Sequence, residues 1–113
     1  MAFFSFGKKS RILKRDDFLR IGQKGRRLRT RHFTVLYIEN DIGNTRCGLT
    51  ASKKIGNAVI RNSVKRRLRE FFRLNRDNLK SSTDYIFIAR KGSSQIKYSD
   101  LSDELLLAFK RSV

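Results

Sequence analysis

Apolar positions recur along this chain with two different periods, and the switches between them delimit its elements. From Arg15 to Gly22, Asp16 and Asp17 suit a helix N-terminus, and Phe18, Leu19 and Ile21 supply something to bury; Gly22 and Gly25 end this short helix. The run from His32 to Glu39 is rich in strand formers, with Phe33, Val35 and Tyr37 on one face. Turn residues at Asn40 to Asn44 make Thr45 to Ser52 read as a returning antiparallel strand, a hairpin or part of a meander. The pattern then becomes helical. A helix starting near Ala58, capped by Asn57 after the permissive Gly56, gathers Ile60, Val64, Leu68, Phe71 and Phe72 on one stripe. Asn62, Lys65, Arg66, Arg69, Arg73 and Arg76 fall on the opposite one. Asp84 to Arg90 is a nearly continuous apolar run of the kind that forms a central strand. Ser99 caps a last helix with Asp100, Asp103 and Glu104 early, Lys110 and Arg111 late, and an apolar stripe of Leu101, Leu105, Ala108 and Phe109.

This order predicts an α/β (α+β) two-layer sandwich, a small mixed sheet with helices packed on it, as a single domain over residues 1–113. The usual chirality rule makes a strand-helix-strand unit around the long helix right-handed. Residues 1–10, carrying Phe3, Phe4, Phe6, Lys8 and Lys9 without sustained periodicity, read as a flexible basic and aromatic arm.

Charge turns this outline towards function. The formal net charge is +17, which makes a polyanion the expected partner, with RNA, DNA and anionic membrane as candidates. The excess is uneven: residues 1–76 hold 21 Lys or Arg against 5 acids, and residues 77–113 hold 6 against 5. Within the long helix the outward stripe carries no carboxylate, with Glu70 only at its edge, whereas the last helix has charges that complement its own dipole. No apolar run approaches the roughly 20 residues that span a bilayer, and the N-terminus lacks the order of a secretory signal, so a soluble cytoplasmic protein without membrane association is expected. Cys47 and His32 stand alone as their residue types, which excludes an intramolecular disulfide and a Cys/His metal cluster. Cys47 reads as a small buried hydrophobe.

An independent enzyme needs a compact acid, base or nucleophile set, and none is visible. His32 sits between Arg31 and Phe33 with no evident partner, the acids are scattered or serve helix ends, and no phosphate-binding glycine loop occurs. No catalytic residue and no metal ligand are therefore expected in the protein. Two surfaces can meet nucleic acid. The long helix with Lys53 and Lys54 before it can hold phosphates, and a sheet face with Phe33 and Tyr37 beside Phe18 can stack bases at roughly 1–3 kcal/mol each. Those three aromatics serve equally well as core, and their positions alone leave both readings open. Helix-turn-helix spacing and zinc fingers, the common marks of DNA readers, are absent.

The string Arg61-Asn62-Ser63-Val64-Lys65-Arg66-Arg67-Leu68-Arg69 closely resembles the signature of the bacterial ribonuclease P protein component, an Arg-Asn pair followed at helical spacing by Lys-Arg and Arg. Ser52 to Val59 fits the same family, as do Asp17-Phe18, the Arg31-His32-Phe33 strand entry, Asp84 to Arg90 and the closing helix, so the likeness covers almost the whole chain. The resemblance implies a fold shared with a domain of a small-subunit ribosomal protein, with a left-handed βαβ crossover carrying the signature helix, against the general rule. It also implies that a partner RNA is the catalyst. That RNA subunit cuts precursor tRNA to leave a 5′-phosphate on the mature tRNA, using Mg²⁺ held mainly by the RNA and substrate, with no organic cofactor. Carried onto this chain, contacts to the catalytic RNA fall to Lys53, Lys54, Asn57, Arg61, Asn62, Lys65, Arg66, Arg69 and Arg73, and contacts to the 5′ leader fall to Phe18, Phe33 and Tyr37. Where family members often carry a second aromatic one turn after Phe18, this chain has Gly22, so leader stacking is weaker or the cleft is lined differently. The free protein is expected to be monomeric. The rivals are a structural ribosomal or RNA-chaperone protein using the same basic helix, and a self-sufficient nuclease, which the missing acid–base set disfavours.

Overall fold

In the computed structural model, which describes residues 11, 12 and 14–111, the elements run α1 (Arg15–Lys24), β1 (Arg26–Arg29), β2 (Phe33–Glu39), β3 (Arg46–Thr50), α2 (Ala58–Leu74), β4 (Thr83–Ala89) and α3 (Tyr98–Arg111). The expected arm at 1–10 lies outside the described residues. The strands form one mixed sheet in the order β1-β2-β4-β3, with β1–β2 and β2–β4 antiparallel and β3–β4 parallel. This is the α+β class expected, with β4 in the interior and α2 as the crossover between parallel strands.

The hairpin expected between β2 and β3 does not form, because β4 occupies the slot between them. Consecutive Tyr85, Ile86 and Phe87 are 2%, 2% and 0% exposed, and only an inner strand covered on both faces can bury side chains that point both ways. The Asn40 to Asn44 turn carries the chain past this slot, stabilised by the Asn40 amide donating to the Asn44 carbonyl at 2.9 Å and by Gly43 at φ +73°. A hairpin does form earlier. β1 pairs with β2 in the register Arg26↔Tyr37 and Leu28↔Val35. Three arginines in four residues do not read as a strand from composition, but an edge position leaves them in water.

Strand alternation divides the core in two. Phe33, Val35, Tyr37, Cys47, Tyr85 and Phe87 face α2 and α3, which contribute Val64, Leu68, Phe71, Phe72, Leu101 and Leu105. Phe109 of α3 joins this cluster, stacked on Phe71 at 6.2 Å and edge-on to Tyr85 and Phe87. Together with the sheet, α2 and α3 make the two-layer body. The other sheet face presents Leu36 and Ile86, which are covered by Ile12 and Ile21 with Phe18 against them, so α1 lies across the face opposite α2.

Of the two glycines expected to end α1, Gly25 does so, its N–H donating to the Ile21 carbonyl at 2.8 Å, while the helix runs through Gly22 to Lys24. Gly22 is exposed and costs the helix about 1 kcal/mol relative to alanine, less than the packing of Ile21 beneath it returns. A buried ion network fixes α1 to the sheet. Asp84 is fully buried and accepts from Arg46 Nε and Nη2 at 2.9 and 2.7 Å, Arg20 Nη2 at 3.0 Å and Asn40 Nδ2 at 2.8 Å. Burial pushes this carboxyl up, but the bonds and charges of Arg46, Asn40 and Arg20 outweigh it and hold the group below its ordinary value. On the far side Glu104 of α3 accepts from Thr30 Oγ1 at 2.5 Å, the His32 N–H at 2.9 Å and His32 Nδ1 at 2.7 Å. His32 thus has a carboxylate partner 72 positions away, and the pair ties α3 to the β1–β2 turn.

Candidate nucleic-acid interface

The basic helix starts where its sequence says it should. Asn57 Oδ1 accepts from the Ile60 N–H at 3.0 Å, and Gly56 at φ +153° lies so close to Ile60 that an added Cβ would sit 2.9 Å from its Cγ2. Before it, a 3₁₀ turn at Lys53–Ile55 leaves Lys53 and Lys54 exposed. Burial of Val64, Leu68, Phe71 and Phe72 sets the helix rotation, so Asn62, Arg66 and Arg69 face solvent, with Arg61 and Lys65 half-buried beside them. None of Lys53, Lys54, Arg61, Lys65, Arg66 and Arg69 is ion-paired among the described residues. The Nε of Arg61 is shielded and has no acceptor among them.

Towards its C-terminus the stripe changes character. Arg73 is bound through Nε and Nη2 to Glu70, and this hydrogen bond holds the Glu70 carboxyl below its ordinary range. Arg76 lies over the Phe72 ring at 5.4 Å and donates to Asn44 Oδ1 at 3.1 Å, which ties it to the β2–β3 turn. Arg67 reaches the backbone carbonyls of Ser63, Ser94 and Ile96, clamping α2 to the segment that precedes α3. Along α2 and its approach, the free positive surface is therefore the turn at Lys53 and Lys54 with the first three helical turns, up to Arg69.

The three aromatics expected to share a leader cleft are separated. Phe33 is 0% and Tyr37 7% exposed, both packed under α2 and α3, whereas Phe18 lies on the other side of the sheet. For Phe33 and Tyr37 the core reading describes their positions. Tyr37 stacks on Tyr85 at 5.8 Å, and Lys80 Nζ sits 5.5 Å from the Tyr37 ring centre. Strand period tells which residues share a face, but not which face α1 will cover; the alternates Thr34, Leu36 and Ile38 are the β2 residues on the α1 side.

Phe18 instead meets two members of the basic-helix set. At the β3 edge a groove of about 500 Å³ is lined by Arg11, Ile12, Phe18, Gly48, Leu49, Lys65 and Arg69. The ring of Phe18 rests on Gly48, where any Cβ would stand 2.7 Å from its Cζ, so only glycine lets the ring lie on the strand backbone. Lys65 and Arg69, one helical turn apart, supply positive charge at the same groove. A half-exposed aromatic beside two unpaired cations can stack a base while holding phosphates. Cys47 borders this groove at 1% exposure; burial pushes its thiol well up and the charge of Arg69 only partly offsets this, so it serves packing. Gly48 is absent from the sequence-derived site, although an isolated glycine inside a strand pattern is the usual mark of a close approach.

Among the described residues no group of three or more His, Cys, Asp or Glu could hold a metal ion, and no helix is long and apolar enough to cross a membrane. The carboxylates of Asp84, Glu104 and Glu70 are each committed to cationic or hydroxyl partners.

Comparison with known proteins converges on one family. A family model described as Ribonuclease P matches residues 6–113. The ribonuclease P protein component of Syntrophus aciditrophicus is 51% identical over 98 residues, covering 87% of this chain and 82% of the relative. The structure of the Staphylococcus aureus RNase P protein superposes with a TM-score of 0.83 at 36% identity, covering 91% of this chain and 94% of that one. The RNase P protein from Thermotoga maritima gives 0.82 at 33% identity, covering 89% and 96%.

Proposed function

Because the chain belongs to the ribonuclease P protein family, as a protein subunit of that tRNA-processing endoribonuclease, we propose that α2 docks it on the enzyme's RNA while the β3-edge groove takes the 5′ leader of precursor tRNA. The observation that carries this reading is the groove itself, where Phe18, Lys65 and Arg69 meet although they stand far apart in sequence. Lys53, Lys54, Asn57, Arg61, Asn62, Arg66 and Arg69 form the docking face. Arg73 contributes less because Glu70 already neutralises it.

The physical logic is electrostatic. A catalytic RNA and an RNA substrate repel, and a protein of net charge +17 between them lowers that repulsion. Contacts made only by the leader favour precursor over mature tRNA, which lacks it. Bond cleavage belongs to the RNA. Asp84, Glu104 and Glu70 are engaged in pairs within the fold, and the described acids form no cluster of three, which supports assigning the Mg²⁺ of the reaction to RNA and substrate, where it would activate water and stabilise charge on the scissile phosphate.

Precursor tRNA cleavage is measured with the protein alone, the RNA subunit alone, and both together at low Mg²⁺. Restoration of activity only by the pair is expected, and cleavage by the protein alone would overturn the reading. Shortening the leader to a few nucleotides should remove most of the affinity that the protein adds. An equal benefit for leaderless tRNA would sink the role of the groove.

A further inference from the structure

The edge of the sheet opposite β3 carries a second unpaired positive surface that neither the docking helix nor the groove uses. Lys24, Arg26, Arg27, Arg29 and Arg31 are all exposed, and none makes an ion pair among the described residues. Strand geometry fans them out. Arg26 lies across from Tyr37 and shares the α2 side of the sheet, while Arg27 and Arg29, across from Leu36 and Thr34, lie on the α1 side. At one end Lys24 and Arg26 join Lys80 around a concavity of about 350 Å³ that also contains Glu39. At the other, Arg90 donates to the Thr30 carbonyl, and the nearby acid Glu104 is already held by Thr30 and His32. Glu39 and the already engaged Glu104 stand at the two ends of this edge, where Lys80 and Arg90 add to its positive charge.

Like charges on a four-residue edge strand repel one another, and among the described residues no ion pair offsets them. Polyphosphate supplies it. Neighbouring same-face arginines stand about 6.6 Å apart along a strand, of the order of the distance between successive phosphates, and guanidinium is the side chain best matched to phosphate oxygens. β1 is separated from β3 by β2 and β4, about 14 Å across the sheet, so a segment lying along β1 differs from one held at α2 and the groove.

We propose that the β1 edge is a second RNA-binding surface, gripping the phosphate backbone of an RNA segment other than the one on α2, so that one protein bridges two RNA segments. The second segment is read by charge and not by base, because no exposed aromatic lines this edge among the described residues. This inference rests on α2 being an RNA-docking face, so the test carries an α2 variant in parallel.

Donor- and acceptor-labelled single-stranded oligouridylates are mixed with the full chain, and energy transfer between them is followed across a salt series. Bridging by the native protein is expected. Arg26→Ala/Arg27→Ala/Arg29→Ala/Arg31→Ala should abolish transfer and flatten the log–log salt slope of total binding by up to about 2.8, at roughly 0.7 per lost single-strand phosphate contact. The four-lysine counterpart should retain most of both, and the thermal midpoint should stay unchanged because these side chains are exposed. If only Arg66→Ala/Arg69→Ala lowers slope and transfer, the β1 proposal fails and the α2 assignment survives; if only the β1 variant does so, the α2 assignment fails and the bridge between α2 and β1 is overturned with it. No effect from either variant overturns both. Loss of binding to phosphatidylserine vesicles with unchanged RNA binding would overturn the β1 proposal in favour of a membrane surface.

Discussion

On one face of the sheet Phe33, Val35, Tyr37, Tyr85 and Phe87 are closed under two helices, and Phe71, Phe72, Leu101 and Leu105 fill the space between them. On the other face α1 contributes one fully buried side chain, Ile21, which covers Leu36 and Ile86 together with Ile12 and the half-exposed Phe18, and a charged network centred on Asp84 adds to the attachment. The first face is apolar and complete, and it orients α2 so that its cations point outward. The second is thin enough to leave Phe18 half-exposed above Gly48, and the groove exists because the cover there is incomplete. Apolar packing is concentrated on one side of the sheet, and the open groove lies where the thinner cover on the other side meets the β3 edge.

That division predicts a graded response to substitution. Phe87→Ala removes a ring that touches Phe71, Tyr85 and Phe109, and should cost about 3–5 kcal/mol in urea unfolding; a loss below about 1 kcal/mol would mean the α2–α3 face is not the main source of stability. Asp84→Asn leaves Arg46 and Arg20 without their carboxylate and should cost about 2 kcal/mol, less than a fully buried pair because both arginines reach solvent. The native carboxyl is held below its ordinary value of 3.8, so its contribution is complete above that pH and is lost as pH falls towards the lower folded-state value. Stability measured down through this acid range should fall less steeply in Asp84→Asn than in the native chain, and parallel curves would exclude Asp84 as a source of acid sensitivity.

Gly48→Val forces Phe18 off the strand and should cost about 1 kcal/mol, since the ring can swing into the groove. Its larger consequence is expected in binding, with the leader-dependent part of precursor affinity reduced and assembly with the RNA subunit unchanged. If both fall together, the groove and the docking face are not separable. Arg66→Ala with Arg69→Ala should change unfolding by less than about 0.5 kcal/mol while lowering the salt slope of RNA binding by about 1.4. An unchanged slope would remove these two residues from the interface.

Where neighbouring residues decide the outcome, the chain is legible. The Asn57 cap, the start of α2 at Ala58, its buried stripe from Val64 to Phe72 and the inner position of β4 all follow from local period and capping chemistry. Partner choice between strands is less so. Asn40 to Asn44 read locally as a β2–β3 hairpin turn, but β4 competes for the same edge with a more apolar strand and takes the place beside β2. Arg73 and Arg76 belong to the outward stripe by period, yet Glu70 in one case and Phe72 with Asn44 in the other draw them back to the protein.

The sequence by itself determined the element types apart from the arginine-rich β1, the polyanionic character of the partner and the family, because each is a property of local pattern, composition or a contiguous motif. Only the tertiary structure decided which face of β2 meets α1, and with it the exchange of Phe33 and Tyr37 for Gly48, Lys65 and Arg69 as companions of Phe18. The reason is that alternation along a strand is symmetric between its two faces. Nothing local breaks that symmetry until two helices and an aromatic cluster claim one side and leave the other to α1.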